Sequence, residues 1–347
     1  MTEVSGKANI YDVARLAEVS HQTVSRVLND HASIRPDTRA RVKKAMATLG
    51  YRPSFAARAL ASSKTKILGI LSSGTDFNGP ATMVHFMELA AREAGFTAVT
   101  VGVDPTDSVS AREGIEHLMN LGVEGLAIVT PQVEIMEQLK AEVVGIPAVT
   151  IDSMYRVDSM SISLDNFAGG ASATEHLIDL GHKNILHVRG PLGWFESTTR
   201  ESGFTSTMLK AGLRPQVVGG DWELETGYRI GMDLDVFGKG ITAVFLANDR
   251  MALGFMHSMR ERNIGVPTDL SVVGFDDLEE SAYSWPPLTT MRQDFRVLGS
   301  SAMNLLLSEI SGEVAKDLGR IVPELIIRKS AAPPRARDHS SRKGPSQ

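Results

Sequence analysis

The first fifty residues carry apolar side chains at the spacing of short helices. In the first helix the apolar positions are Ile10, Val13, Ala14, Leu16 and Ala17. After a break, Ser20 is a suitable N-cap for a second helix over about 21–29. Pro36 suits the first position of a third helix over about 36–49, and Gly50 suits its end.

From Ile67 onward, short apolar runs alternate with amphipathic helical segments. The apolar runs are residues 67–71, 98–101, 126–129, 148–151, 185–188, 243–247 and 272–275. The amphipathic segments lie near residues 81–94, 109–121, 167–180, 198–212, 224–237 and 251–262. This alternation predicts an α/β fold in which helices cover both faces of a parallel sheet. Because it continues for longer than one such sheet needs, we expect two lobes with a cleft between them, with a (β/α)₈ barrel as the alternative.

The net charge of −5 is distributed unevenly along the chain. Residues 1–66 contain 12 Lys and Arg against 5 Asp and Glu, whereas residues 67–328 contain 19 against 35. A basic head on an acidic body suggests that the head binds a polyanion, although a solvated basic face would have the same charge. Residues 329–347 are polar and basic without an apolar period, so we expect a disordered tail.

The composition excludes several classes of protein. The chain has no cysteine, which rules out disulfides and thiolate metal sites and fits a reducing compartment. No apolar run approaches the ~18 residues of a membrane span. The first residues lack the apolar segment of a signal peptide. We therefore expect a cytoplasmic protein that does not bind a membrane.

Residues 11–29 have the pattern of a helix-turn-helix. The small Ala14 lets two helices approach closely, and Val19 and Val24 fill the space between them. The second helix then presents four polar side chains outward: His21, Gln22, Ser25 and Arg26. Gln pairs with adenine and Arg with guanine in the major groove, so we interpret this helix as a recognition helix. An ordinary helical hairpin is the alternative.

Polar residues follow the strands of the body, at the carboxyl ends where open α/β sheets bind ligands. They are Ser72, Ser73, Thr130, Asp152, Asn248, Asp249, Asp276 and Asp277. With Arg200 early in a later helix, this set suits the hydroxyls of a sugar, and Trp222 suits its C–H face. The alternatives are structural: Asp and Asn often cap helices, Trp can belong to the core, and Arg can form a surface ion pair.

No motif of a common enzyme class is present in the sequence. The chain lacks the Gly-x-x-x-x-Gly-Lys-Ser/Thr, Gly-x-Ser-x-Gly and Gly-x-Gly-x-x-Gly patterns. Its nine histidines include no His-x-x-x-His pair. We therefore expect no catalytic residues, no metal and no cofactor. Asp152 and Asp276 as a glycosidase pair, or a periplasmic type of sugar-binding protein, are alternatives that the basic helix-turn-helix disfavours.

The stretch Tyr-Asp-Val-Ala…Val-Ser…Gln-Thr-Val-Ser-Arg-Val-Leu-Asn, from Tyr11 to Asn29, resembles the start of LacI/GalR-family transcriptional regulators. The likeness continues through Thr38-Arg39, Ala45-Met46-Ala47 and residues 49–53, and it extends to about residue 328. The family implies a helix-turn-helix head followed by a two-lobed core like that of periplasmic binding proteins. In the family, the core binds a small molecule between its lobes.

The resemblance implies DNA contacts residue by residue. Base contacts come from His21, Gln22 and Arg26, and phosphate contacts come from Tyr11, Ser20, Thr23, Ser25 and Asn29. In a hinge helix over residues 55–61, Leu60 wedges between base steps and Arg58 flanks it, with a passive linker as the alternative. Glu18 departs from the Gly usual in the turn; if the turn needs a positive φ there, strain of about 1 kcal/mol follows.

The resemblance also implies an effector site. In the first lobe it places Ser73, Phe77 and Asp152, and in the second lobe Arg200, Trp222, Asn248 and Asp276. Gln293 and Phe295 lie where the chain crosses between the lobes. Val129 and the segment Trp194-Phe195-Glu196 depart from the pocket of a family member, so the identity of the sugar does not carry over.

On this basis the chain divides into four parts. Residues 1–53 form the helix-turn-helix domain, 54–65 the hinge helix and linker, 66–328 the effector-binding and dimerisation core, and 329–347 the tail. Within the core, the two lobes take about residues 66–163 with 294–322, and about residues 164–291 with 323–328.

The function that follows is transcriptional regulation. We expect a repressor that binds pseudo-palindromic operator DNA as a homodimer and responds to a small sugar. A corepressor of the purine or phosphosugar type is the alternative effector. We expect the dimer to form through the helices near 81–94 and 251–262 and the strand that follows them.

Overall fold

The computed structural model describes residues 8–28, 31, 33–51, 64–73, 78–104, 107–130, 145–151, 160–313 and 320–335. The chain forms two compact units: residues 1–67 with 122–124, and residues 68–121 with 125–347. Within the described ranges, no helix is both long enough and apolar enough to cross a membrane.

Three helices make up the described part of the N-terminal unit: α1 (Ile10–Leu16), α2 (His21–Leu28) and α3 (Pro36–Leu49). Ser20 caps α2 as predicted, since its hydroxyl accepts the backbone N–H of Thr23 at 3.1 Å. Pro36 begins α3, and Gly50 ends it with a φ of 60°. Side chains of all three helices form one small core: Val13, Ala14, Ala17, Val24, Val27, Val42 and Ala45.

The second unit contains twelve strands among its described residues. In chain order they are β1 (Ile67–Ser73), β2 (Thr97–Val103), β3 (Leu126–Val129), β4 (Ala148–Ile151), β5 (Ser161–Leu164), β6 (Ile185–Val188), β7 (Gln216–Val218), β8 (Ala243–Leu246), β9 (Ser271–Asp276), β10 (Thr289–Arg292), β11 (Arg320–Ile321) and β12 (Glu324–Ile326). The helices are α4 (Asn78–Glu93), α5 (Ser108–Asn120), α6 (Asn166–Asp179), α7 (Phe195–Lys210), α8 (Leu224–Asp233), α9 (Asp249–Glu261), α10 (Glu279–Tyr283) and α11 (Phe295–Ser311).

The strands form two six-stranded sheets, one in each lobe. The first sheet has the order β11-β5-β4-β3-β1-β2, and the second has the order β12-β10-β9-β8-β6-β7. The neighbours in the second sheet run parallel except β12, which pairs antiparallel with β10. The chain crosses between the lobes after β5, β10 and β11. These sheets confirm the predicted α/β core of two parallel-sheet lobes and exclude the single barrel.

Both sheets are buried on both faces, which is why their central strands read as continuous apolar runs. In the first lobe, α4 and α11 cover one face through Met83, Met87, Leu298 and Leu306. In the second lobe, one face packs against Phe255 and Met259 of α9. The other face holds an aromatic cluster formed by Phe204, Phe245 and Phe275.

Several elements lie outside the apolar pattern found in the sequence. The strands β5, β7, β10, β11 and β12 and the helices α10 and α11 were not predicted. The strand β5, Ser-Ile-Ser-Leu, is fully buried although half of its residues are polar, and Ser163 has no exposed surface. This strand was not predicted because it alternates polar and apolar residues and is not a continuous apolar run. Its serines are small enough to pack in the interior.

The segment that begins at residue 329 differs from the predicted disordered tail. Ser330 is fully buried, and its hydroxyl accepts the Thr289 N–H at 2.8 Å and donates to the carbonyl of Val272. Ala332 exchanges hydrogen bonds with the side chain of Ser271. Residues 329–335 are thus held on the second lobe by backbone and hydroxyl pairing that a composition argument does not detect, and the predicted start of the tail is too early.

The turn between α1 and α2 contains Glu18 with a φ of 52°. This is the left-handed region, where a side chain costs about 1 kcal/mol relative to glycine.

We expect Glu18→Gly to stabilise the α1–α2 pair by up to about 1 kcal/mol, measured by hydrogen exchange of the α1 and α2 amides in the full chain. Glu18→Ala removes the same carboxylate but keeps the Cβ, so it should give no comparable gain. Equal protection in the two variants would contradict the strain.

Candidate functional site

Helix α2 separates a buried face from a polar one. Val24 and Val27 point into the core of the N-terminal unit, whereas His21, Gln22 and Arg26 are exposed. The structure therefore places these three predicted base-reading side chains on one accessible helix face. An exposed helix face fits the major groove, where amide and guanidinium groups read base edges.

Residues predicted to hold phosphates lie together around the start of α2. The rings of Tyr11 and His21 are 5.2 Å apart between centroids, and Tyr11 is 60% exposed. The hydroxyls of Ser20 and Thr23 are 2.9 Å apart at the amino-terminal end of the same helix. Hydroxyls at a helix N-terminus suit an anion such as a phosphate. Asn29, Arg58 and Leu60 lie outside the described residues.

A cleft lies in the second unit at the carboxyl ends of the central strands, as expected for open α/β sheets. The wall formed by the second lobe and the crossover after β10 is mostly polar: Asn166, Trp194, Glu196, Arg200, Trp222, Asn248, Arg250, Asp276, Leu278 and Gln293. The wall formed by the first lobe and α11 is mostly apolar: Gly79, Pro80, Met83, Val129, Thr130, Ile151, Leu164, Phe295 and Leu298.

The cleft brings together five of the eight predicted effector-binding residues: Arg200, Trp222, Asn248, Asp276 and Gln293. Ser73 is buried at the end of β1, and the described lining does not include it. Phe77 and Asp152 lie outside the described residues. The role of each side chain toward a ligand stays a prediction, but the geometry puts the polar groups within reach of one small molecule.

Arg200 is the central charged group of the polar wall. It projects from α7 and is 4% exposed. Its Nε donates to Asn166 Oδ1 at 2.8 Å, and Nη1 donates to the carbonyl of Ala247. Its guanidinium also lies 3.8 Å from the centre of the Phe275 ring. Arg200 is thus fixed by contacts to three other elements, and it is not a surface ion-pair partner.

Asp276 is the counter-charge of Arg200. Its Oδ1 lies 3.7 Å from Arg200 Nη1 and accepts a hydrogen bond from Gln293 Nε2 at 2.6 Å. Burial raises the pKa of Asp276 to about 6, while the charge of Arg200 and the Gln293 hydrogen bond act in the opposite direction. Burial lowers the pKa of Arg200, and the neighbouring carboxylates oppose that shift. This pair offers a ligand both a carboxylate acceptor and a guanidinium donor.

Asn248 and Trp222 form the next part of the polar wall. Asn248 caps α9 through Oδ1, which accepts the Met251 N–H, and its Nδ2 donates to the carbonyl of Trp222 at 2.9 Å. Trp222 is 5% exposed, and its indole Nε1 has no hydrogen-bond partner among the described residues. A buried donor of this kind normally has an acceptor, so the indole N–H is an unsatisfied polar group next to the cleft.

Backbone strain occurs at this cleft, where three of the six described non-glycine residues with positive φ are found. Trp222, Asp276 and Asp277 have positive φ angles of 76°, 117° and 59°. Such conformations cost about 1–3 kcal/mol each in non-glycine residues and persist where surrounding contacts enforce them, typically at functional sites. Two of the three residues line the cleft, and the third follows directly.

Asp249 and Asp277 have structural partners, which favours the structural alternative for these two residues. Asp249 has no exposed surface and accepts hydrogen bonds from the hydroxyls of Ser281 and Thr290, each at 2.6 Å. Burial and the charge of Asp276 raise the pKa of Asp249 to about 7. Asp277 forms ion pairs with Arg292 and Arg328.

Some cleft residues were not among the predicted site residues. Asn166 was missed because it follows β5, the buried strand that the alternating pattern concealed. Trp194 and Glu196 were noted only as a departure from a family member. Arg250 is the second residue of α9, two positions after the N-cap Asn248. A polar residue directly after a strand can indicate a cleft residue. That indication was available only where the strand itself had been predicted.

Comparisons with known proteins agree with both units. Residues 9–54 match the bacterial regulatory proteins of the lacI family, and residues 174–331 match the periplasmic binding protein-like domain. The lactose operon repressor of Escherichia coli K12 is 32% identical over 335 residues, covering 96% of this chain and 93% of that protein. The HTH-type transcriptional repressor PurR of Haemophilus influenzae is 35% identical over 333 residues, covering 93% of this chain and 98% of that protein.

The chain belongs to the lacI family of bacterial regulatory proteins.

Two solved structures of regulators match most of the chain. The lac repressor dimer bound to operator and the anti-inducer ONPF has a TM-score of 0.87 at 32% identity, covering 94% of this chain and all of that one. The transcriptional regulator CelR in complex with cellobiose has a TM-score of 0.68 at 28% identity, covering 93% of this chain and all of that one. This lacI-family chain is therefore a DNA-binding regulator with a periplasmic-binding-protein-like, ligand-binding core.

The pairing of Arg200 with Asp276 predicts a stability effect. Asp276→Asn removes the counter-charge and leaves a buried guanidinium, so we expect the free energy of unfolding to fall by about 3 kcal/mol in urea denaturation. The double variant Arg200→Met/Asp276→Asn, which buries no charge at this position, should recover part of the loss. A single variant as stable as the unmodified protein would contradict the pairing.

Proposed function

We propose that this lacI-family protein is a transcriptional repressor whose affinity for operator DNA is altered by a small carbohydrate bound in the cleft. The observation that carries the proposal is the polar wall of Arg200, Asn248, Asp276 and Gln293 beside Trp222. Carboxylate, amide and guanidinium groups hydrogen-bond sugar hydroxyls from several directions. The indole supplies the apolar surface that the C–H face of a sugar ring needs.

Operator DNA is the proposed partner of α2. His21, Gln22 and Arg26 are the proposed base-reading residues, and Tyr11, Ser20, Thr23 and Ser25 the proposed phosphate-binding ones. Asn29, Arg58 and Leu60 belong to the same proposal on the family resemblance alone. The lac repressor structure with operator, to which this chain is similar, supports DNA as the polyanion.

A homodimer is the proposed state of the repressor. One head makes few base contacts, whereas two heads related by a two-fold axis read a pseudo-palindrome. The related lac repressor binds its operator as a dimer. At the end of α10 and just after it, Tyr283 and Trp285 are 82% and 80% exposed in the single chain, which is unusual for large aromatic side chains and supports burial against a second copy.

A carbohydrate suits the cleft better than a purine or a phosphosugar corepressor. The rings of Trp194 and Trp222 are inclined at 66°, so they do not form the parallel sandwich that a flat base prefers. Asp276 and Glu196 both face the cleft, and two carboxylates disfavour a phosphate. Related structures contain ONPG and cellobiose, which supports a sugar or glycoside as the effector class.

The proposed mechanism is a change in the relative orientation of the lobes. A ligand that contacts both walls of the cleft favours one orientation, and the orientation determines whether both heads of a dimer fit one operator. The effector can shift this equilibrium only by its differential affinity for the two states. The protein binds the sugar without transforming it, and it acts in the cytoplasm, where operator DNA lies.

If α2 is the recognition helix, substituting one of its outward polar side chains should reduce the preference for the operator sequence. Gln22→Ala removes a side chain suited to a bidentate contact with a base, so we expect specific operator binding to weaken by about 1–3 kcal/mol. Binding to random-sequence DNA at the same salt concentration should change little. Lys43→Ala, on the exposed face of α3, is the control outside the recognition helix. Fluorescence anisotropy measures both affinities, and an equal loss on both DNAs for Gln22→Ala would contradict base reading.

A gel shift with the upstream region of the protein's own gene tests the whole proposal. At fixed salt, we expect a specific complex that one member of a panel of mono- and disaccharides releases. Arg200→Lys keeps the charge opposite Asp276 but loses the planar donor set, so it should bind the DNA and fail to respond to the sugar. Its melting temperature is checked first, because Arg200 also supports the fold. Specific binding that no sugar alters would contradict the carbohydrate effector.

A further inference from the structure

We infer that Trp194 and Glu196 form a second subsite at the mouth of the cleft, so that the effector has two sugar rings. This inference rests on the proposed function, since it assumes a carbohydrate effector. It assigns Trp194 to the second ring and Glu196 to hydroxyls near the link between the rings.

The start of α7 directs both side chains into the cleft. Phe195, the first residue of the helix, is 5% exposed and packs inside the second lobe. Trp194 and Glu196 stand on either side of this anchor; both are half-buried and line the cleft. Trp194 also packs against the hydrophobic core of the second lobe, so its placement is tied to that core.

The two tryptophans offer two differently oriented aromatic planes. The ring centroids of Trp194 and Trp222 are 5.9 Å apart, and the planes are inclined at 66°. One pyranose ring can lie flat against only one of these planes. Two rings joined by a glycosidic bond turn relative to each other, and each can then face its own indole.

The deep part of the cleft is already complete for one ring. Trp222 packs so closely on Gly190 that no side chain would fit there, and Arg200 lies 5.5 Å from the Trp222 ring centre. Arg200, Asn248, Asp276 and Gln293 surround this position with donors and acceptors. Trp194 is half-buried whereas Trp222 is buried, so Trp194 is the more accessible of the two planes and is left for a second ring.

Glu196 relates the polar groups around Arg200 to the proposed second subsite. Its charge raises the pKa of Asp276 and supports the charged form of Arg200, so its carboxylate lies within electrostatic reach of the deep groups. A carboxylate accepts hydrogen bonds from two hydroxyls at once. Because it lines the same cleft as both tryptophans, it suits hydroxyls on either side of a glycosidic link.

Calorimetric titration of the full chain with matched saccharide pairs tests the inference. The pairs are glucose with cellobiose, galactose with lactose, and xylose with xylobiose. We expect one disaccharide to bind at least tenfold more tightly than its own monosaccharide. Trp194→Ala and Glu196→Gln should each reduce that margin at least fivefold, because they weaken disaccharide binding more than monosaccharide binding.

Leu192→Ala is the matched control, since Leu192 precedes Trp194 in the same segment and is 78% exposed; it should leave both affinities unchanged. Because Glu196→Gln keeps the shape of the side chain, this variant still tests the second subsite if Trp194→Ala lowers stability. A monosaccharide that binds as tightly as its disaccharide, or variants that weaken both equally, would overturn the second subsite alone. Absence of saturable binding by every saccharide would overturn the carbohydrate effector as well.

Discussion

The buried guanidinium of Arg200 is the interaction on which the effector cleft depends. It connects α7 to Asn166 at the start of α6, to the carbonyl of Ala247 after β8, and to Asp276 at the end of β9. A charge this deep is tolerated only when carboxylate and carbonyl oxygens surround it. The same contacts that stabilise the charge therefore hold the polar wall in place. A ligand that replaces part of this shell acts on three elements of the second lobe together.

Much of the fold could be predicted from the sequence because its strongest signals are local. The helix periods of the head, the Ser20 cap and Gly50 end, and the long apolar runs each depend on neighbouring residues only. Polar residues after strands also indicated Asn248 and Asp276, and an arginine early in a helix indicated Arg200; all three line one cleft. The positive φ at Glu18 followed from a single departure in a turn that normally contains glycine.

The remainder depends on contacts between distant parts of the chain. The strand β5 is half serine and became recognisable only when the sheet buried it, and Asn166 was missed with it. Residues 329–335 read as a polar tail, yet Ser330 is held by Thr289 and Val272 about forty and sixty positions earlier. The inclined arrangement of the Trp194 and Trp222 rings likewise has no signature in sequence spacing, because it arises where α7 and the segment before α8 meet.

Coupling between the cleft and the DNA-binding head is the central claim, and thermodynamic linkage tests it most directly. With a saccharide that releases the operator complex, its dissociation constant is measured on the free protein and on the protein saturated with operator DNA. Linkage requires that the operator weakens saccharide binding by the same factor by which the saccharide weakens operator binding. Agreement of the two factors is the result this account predicts. An unchanged saccharide affinity in the presence of operator would contradict it.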